Sequence, residues 1–184
     1  FRLPFFQNFQ LIYSIISLSI QTTTITISDF KSQQDISNWF VVNDGVMGGY
    51  SNGSITLNDN GNGLFKGYVT TLNNGGFSSI RYRFKQKQIS KFNNVSLKVR
   101  GDGKIYQLRI KNKSNTRFSY IQYFETTEEW ETITIPLKSF YASFRGYKLD
   151  ISNYSGQEIG EVAILIGNKR NEEFALEIER IWLE

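Results

Sequence analysis

Polar and apolar residues alternate with a period of two along most of this chain. In SSIRYRFKQK, Ile80, Tyr82 and Phe84 fall on one side, and Arg81, Arg83, Lys85 and Lys87 on the other. VSLKVR puts Val95, Leu97 and Val99 opposite Lys98 and Arg100. YQLRIK puts Tyr106, Leu108 and Ile110 opposite Arg109 and Lys111. Similar short runs, rich in Ile, Val, Phe, Tyr and Thr, recur as TITIS, WFVV, SITL, LFKGYVT, FSYIQYFE, WETITIPL, EVAILIG and FALEIERIWL, punctuated by Gly, Asn, Asp and Ser. No segment sustains a helical period; single helical turns are expected at SQQDISNW (Ser32 to Trp39) and PLKSFYASF (Pro136 to Phe144). Short strands at regular spacing predict an all-β sandwich or barrel.

Three of these strands carry an apolar and a cationic side. If they are neighbours, they form one basic sheet face. Two readings stay open: Glu125, Glu131, Glu177 and Glu179 on other strands pair across it, or it receives an anion. Pairing is the commoner outcome, each exposed pair contributing about 0–1 kcal/mol.

Composition narrows the chemistry. The chain has 184 residues, enough for one domain with a proper core, and its hydrophobic content of 40% is that of a globular protein. It has neither Cys nor His, which rules out disulfides, thiolate chemistry and His-dependent triads. Catalysis would rest on carboxylates, Lys, Tyr or an external cofactor. The candidate acidic cluster Glu125, Glu128, Glu129 and Glu131 surrounds Trp130, where adjacent carboxylates read as a solvated rim. A net charge of +4 admits an anionic partner without demanding nucleic acid.

Four glycine clusters stand out: DGVMGGYSNG, NDNGNG, NNGG and GDG. Gly48 and Gly53 have P-loop spacing, but Ser54 follows where Lys is required. NDNGNG resembles half a calcium loop with Asp59 as its one charge, and reads better as a hairpin turn; GDG is also a turn. DGVMGGYS and NNGGFSSIR hold paired glycines that let backbones approach closely. Met47 between them is a contact residue if exposed and a plug if buried.

The chain starts at Phe1. LIYSIISLSI (Leu11 to Ile20) is apolar but too short for a transmembrane span. It reads as an export-signal remnant, pointing to an exported or periplasmic protein; otherwise it is a non-native leader or first strand and the protein is cytoplasmic. Residues 1–23 are accordingly expected to be a leader, and residues 24–184 one domain.

Several blocks, in order, resemble one family. WFVVNDGVMGGYS (Trp39 to Ser51), FKGYVTTLNNGGFSSIR (Phe65 to Arg81), RGDGKIYQLRI (Arg100 to Ile110), YFETTEEWETITIPL with FRG (Phe144 to Gly146), ILIGNK and FALEIERI are similar to the complex I intermediate-associated protein thirty family, assembly-factor domains of NADH:ubiquinone oxidoreductase. The resemblance covers about Thr24 to Trp182. It implies a galactose-binding-like jelly roll and a non-enzymatic chaperone or assembly module. Such a module would take a protein client, among them respiratory-complex subunits, and no cofactor or metal. The alternative is a carbohydrate-binding module of an exported protein. The resemblance marks Asn43, Asp44, Met47, Gly48, Gly49, Ser51, Asn74, Gly75, Gly76, Phe77, Arg81, Asp102, Arg109 and Arg145 as a loop platform for binding, with Gly101, Gly103 and Gly146 as turn formers. On that platform Arg81 or Arg109 is expected to fork onto Asp44 or Asp102 and lock the loops together.

Overall fold

The computed structural model describes residues 23–184. Its strands are β1 (Ile25–Asp29), β2 (Trp39–Asn43), β3 (Asn52–Leu57), β4 (Gly63–Val69), β5 (Ser78–Gln88), β6 (Asn94–Arg100), β7 (Ile105–Lys111), β8 (Ser119–Glu125), β9 (Glu131–Pro136), β10 (Tyr141–Phe144), β11 (Tyr147–Lys148), β12 (Glu158–Ile166) and β13 (Glu172–Leu183). They pair antiparallel into two sheets. One runs β3-β4-β13-β6-β9, with β1 pairing the end of β13 beyond β4; the other runs β11-β10-β8-β7-β12-β5-β2. Packed face to face, they form the expected jelly-roll β-sandwich. The expected leader lies outside the described residues as far as residue 22.

Alternation places the core. Val95, Leu97, Val99, Phe65, Leu176 and Ile178 of one sheet meet Ile80, Tyr106, Leu108, Ile110, Val162 and Ile164 of the other, all fully buried. Each such aliphatic or Phe side chain contributes about 1.5–3 kcal/mol by leaving water. In β13 the inward set shifts from Phe174, Leu176 and Ile178 to Ile181 and Leu183. A bulge between Ile178 and Arg180 absorbs the odd residue and keeps the apolar side facing the core.

Two expectations need correction. The helical turn is Phe30–Gln33, α1, earlier than Ser32–Trp39, because Asp29 accepts the Ser32 amide at 2.8 Å and so caps it there. Over Pro136–Phe144 only Leu137–Ser139 forms a 3₁₀ turn. Tyr141–Phe144 is β10, held by pairing Tyr141 with Ile121 and Ser143 with Ser119, partners far away in sequence. Asn58–Asn62 forms the expected hairpin turn between β3 and β4, with Asn58 Oδ1 accepting the Asn60 and Asn62 amides.

Candidate functional site

The loop stretch that follows β2 is organised by one carboxylate. Asn43 closes the strand, its Oδ1 accepting the Ser78 hydroxyl at 2.7 Å. Asp44–Met47 then forms a 3₁₀ turn, ended by Gly48 at a φ of 85°. Asp44 is only 1% exposed, yet its oxygens are satisfied: Oδ1 accepts the Ser51 amide at 3.1 Å, and Oδ2 the Gly76 and Phe77 amides at 2.6 and 3.2 Å. Burial pushes this carboxyl upward, but the Ser51 hydroxyl and the Gly76, Phe77 and Ser51 amides outweigh it, and the net shift is below the ordinary 3.8. Ser51 also ties the loop to Thr70, its hydroxyl oxygen accepting the Thr70 amide at 3.1 Å.

Two glycines make this closeness possible. A Cβ on Gly49 would lie 2.3 Å from Asp44 Oδ1, and one on Gly75 would lie 2.7 Å from Asp44 Oδ2 and from the Thr70 carbonyl oxygen. Asn74 sits beside them in left-handed backbone, and the Thr71 amide bonds Asn171 at 2.8 Å. Thus Asn43, Asp44, Gly48, Gly49, Ser51, Asn74, Gly75, Gly76 and Phe77 do come together. Met47 belongs to the turn by its backbone, while its side chain lies outside the described residues.

The remaining residues of the expected platform lie elsewhere. Asp102, in the β6–β7 loop, accepts the Tyr106 hydroxyl at 3.1 Å, Lys104 Nζ at 2.9 Å and the Ala175 amide at 2.9 Å, tying that loop to β13. Arg145 stands in the β10–β11 turn at a φ of 50°, its guanidinium 5.4 Å from the Phe144 ring centre. Arg81 and Arg109 are mid-strand residues on the outward side of the seven-stranded sheet. Neither forks onto Asp44 or Asp102, which corrects the expected lock: backbone amides take Asp44, while Lys104, Tyr106 and the Ala175 amide take Asp102. Arg109 instead gives Nε and Nη2 to Gln107 Oε1 at 3.1 and 2.8 Å, and Arg81 Nε is buried without a hydrogen-bond partner.

The basic strands also separate. β6 belongs to the other sheet, where Lys98 and Arg100 pair with Glu179 and Glu177, as the pairing reading expected. Glu125 and Glu131 make no such pair among the described residues. β5 and β7 instead flank β12, and their cations surround Glu161, which is 2% exposed. Arg83 Nε reaches Glu161 at 2.7 Å and Lys111 Nζ at 3.9 Å. Sequence reasoning missed Glu161, although its position at the head of the apolar run VAILI marks a carboxylate on a central strand.

The end of the sandwich that carries the Asp44 loops exposes apolar side chains. Tyr50 is 68% exposed and Leu72 61%, with Ile105 and Tyr123 exposed on the adjoining edge of the seven-stranded sheet. Ile105 and Tyr123 line a hollow with Gly167, Asn168 and Lys169.

The family model described as Complex I intermediate-associated protein 30 matches residues 28–178. The chain belongs to this family. Members of the Complex I intermediate-associated protein 30 family that resemble it include the mitochondrial proteins of that name from Drosophila melanogaster, 26% identical over 67% of this chain and 49% of the relative, and from Mus musculus, 24% identical over 83% and 53%. The chain spans about half the length of the curated relatives it matches. In structure it is similar to a family 11 carbohydrate-binding module from Clostridium thermocellum, with a TM-score of 0.62 at 19% identity over 87% of this chain and 94% of the module. It is also similar to part of the agarase AgWH50C, with a TM-score of 0.58 at 10% identity over 89% of this chain and 25% of the agarase. At those identities the likeness establishes the galactose-binding-like fold alone. No described helix is long and apolar enough to cross a membrane.

Proposed function

We propose that this domain is a non-enzymatic protein-binding module that takes part in assembling respiratory complex I, holding a subunit or intermediate as its client. One observation carries the reading. The Asp44 carboxylate and the Ser51 hydroxyl are spent on the backbone of their own loops, which present Tyr50 and Leu72 outward on a rigid frame. Apolar side chains held in place on stapled backbone lose little entropy on docking, and they suit a protein surface better than a small polar ligand. The family relationship supports complex I subunits as the client class. Cross-linking in cells of the source organism, followed by mass spectrometry, recovers complex I subunits with the wild-type chain and loses them with Tyr50→Ser combined with Leu72→Ser. Recovery of none, together with normal complex I content in cells lacking the protein, overturns the reading.

A carbohydrate-binding role is supported by a different feature. On the outer side of the six-stranded sheet, exposed Tyr68 borders a hollow with Asn52, Ser54, Lys66, Asp102 and Glu173, an aromatic ring beside polar groups as sugar binding requires. A glycan array without hits rejects it.

A further inference from the structure

We propose that the outward side of the seven-stranded sheet, centred on Ala163 between Arg81 and Arg109, binds carboxylate side chains of an extended acidic segment on a protein partner. The inference rests on the protein-client reading above and names the chemistry of the segment.

Register sets the geometry. Ala163 of β12 pairs with Arg81 on β5 and with Arg109 on β7, so the two arginines flank a methyl group across strands spaced about 4.8 Å apart. One step along, Glu161 pairs with Arg83 and Lys111 in the same way. The floor is built: Ala163, Glu161, Ser79 and Ile121 are all buried.

The charges do not balance. Four cations, Arg81, Arg83, Arg109 and Lys111, stand around one carboxylate, and Glu161 is taken by Arg83 with Lys111 nearby. Glu158, lower on the same strand, accepts from Gln86 and Gln88. Arg109 is steered by the neutral amide of Gln107, itself bonded to Tyr123 at 3.2 Å. Arg81 keeps a buried Nε with no acceptor. Burial and then the neighbouring Arg81 push the Arg109 guanidinium down to about 10. A protein gains nothing structural from two half-buried guanidinium groups set side by side when the one nearby carboxylate, Glu161, is already held by Arg83. A carboxylate reaching in between Arg81 and Arg109 from solvent satisfies both forks.

The aromatic rings on this side favour a charged ligand over a sugar. Arg83 lies 4.7 Å from the Phe40 ring centre, and Lys148 Nζ 5.3 Å from that of Tyr141, so two of the rings on which a pyranose would stack already carry cations. The side also runs on through Gln107 and Tyr123 to the hollow at Ile105 and Lys169. An acidic segment lying across Ala163 therefore leads directly to the exposed apolar rim.

The test uses the purified chain and fluorescein-labelled oligoglutamate, with oligoglutamine and polygalacturonate as comparison probes. Oligoglutamate binds, and the affinity falls steeply as salt is raised. Arg81→Gln with Arg109→Gln weakens it about tenfold or more, while Lys98→Gln with Arg100→Gln on the other sheet leaves it unchanged. Ala163→Leu, which keeps every charge but forces the two flanking guanidinium groups apart over a buried position, also abolishes binding. The double Gln variant melts at or above the wild-type temperature, because it sheds uncompensated cations; a clearly lower melting temperature makes the arginines structural and overturns the site. Binding unaffected by Ala163→Leu, or no oligoglutamate binding at low salt, overturns it too. The client reading survives that failure if cross-linking still recovers complex I subunits. Preference for polygalacturonate over oligoglutamate overturns the peptide assignment and counts against the client reading as well.

Discussion

The charges withdrawn from solvent in this molecule meet opposite fates on the loop rim and on the seven-stranded sheet. The Asp44 carboxylate has three backbone amides pointing at it from two loops, and glycines clear the space around it. The Arg81 and Arg109 guanidinium groups flank Ala163, where their hydrogen bonds reach one neutral amide oxygen and the one nearby carboxylate, Glu161, is bonded to Arg83 instead. A charge whose partners are all internal holds the fold together. One whose partners are missing carries a standing cost that an external ligand removes. The first kind rigidifies the rim; the second marks a surface that waits for something.

The largest effects test the internally satisfied side. Asp44→Ala leaves three loop amides without their acceptor and lowers unfolding free energy by about 3–5 kcal/mol, read from urea denaturation midpoints. A loss under about 1 kcal/mol would mean that water replaces the carboxylate and the staple is dispensable. Glu161→Gln removes the sole anion among four cations and costs about 3 kcal/mol in the same assay. A smaller effect means that the arginines are already well solvated and weakens the contrast. Gly49→Ala forces a methyl group against Asp44 and costs about 2 kcal/mol, visible as a lower melting temperature.

Acid sharpens the same contrast. The Asp44 carboxyl sits below its ordinary 3.8 in the folded chain, so its contribution is fully present above that value and is lost as pH falls through the lower folded one. Between about pH 5 and pH 2 the wild-type chain therefore loses more stability than Asp44→Ala, and parallel curves would refute the assignment. The smallest effect belongs to the outer side of the six-stranded sheet. Lys98→Gln breaks a half-exposed pair with Glu179 and changes stability by about 0–1 kcal/mol, with no effect on client capture.

Much of this was legible beforehand. Alternation assigned Ile80, Tyr82 and Phe84 to the core side and Arg81 and Arg83 to the outside, and the sandwich bears that out, Ile80 fully buried and Arg83 outward. The paired glycines of DGVMGG and NNGG signalled close backbone approach, and Gly49 and Gly75 show it against Asp44. What Asp44 holds was not legible, since its three donors come from residues 51, 76 and 77 and backbone amides leave no trace in residue types. Glu161 escaped notice because one acid in an apolar run looks the same whether it is solvated or walled in by cations from two other strands.

The sequence by itself determined the all-β class, the inward and outward sides of each strand, the hairpin at Asn58–Asn62 and, through its ordered motif blocks, the family. Those are local properties, dictated by side-chain period, turn chemistry and residue type. Tertiary structure alone decided that β6 leaves the other basic strands for the opposite sheet, that β12 slides Ala163 and Glu161 between β5 and β7, and that two distant loops close on one carboxylate. Strand neighbours are chosen by pairing and core packing across the whole chain. Whether a charge ends up satisfied or left open is therefore settled only when the sheets come together.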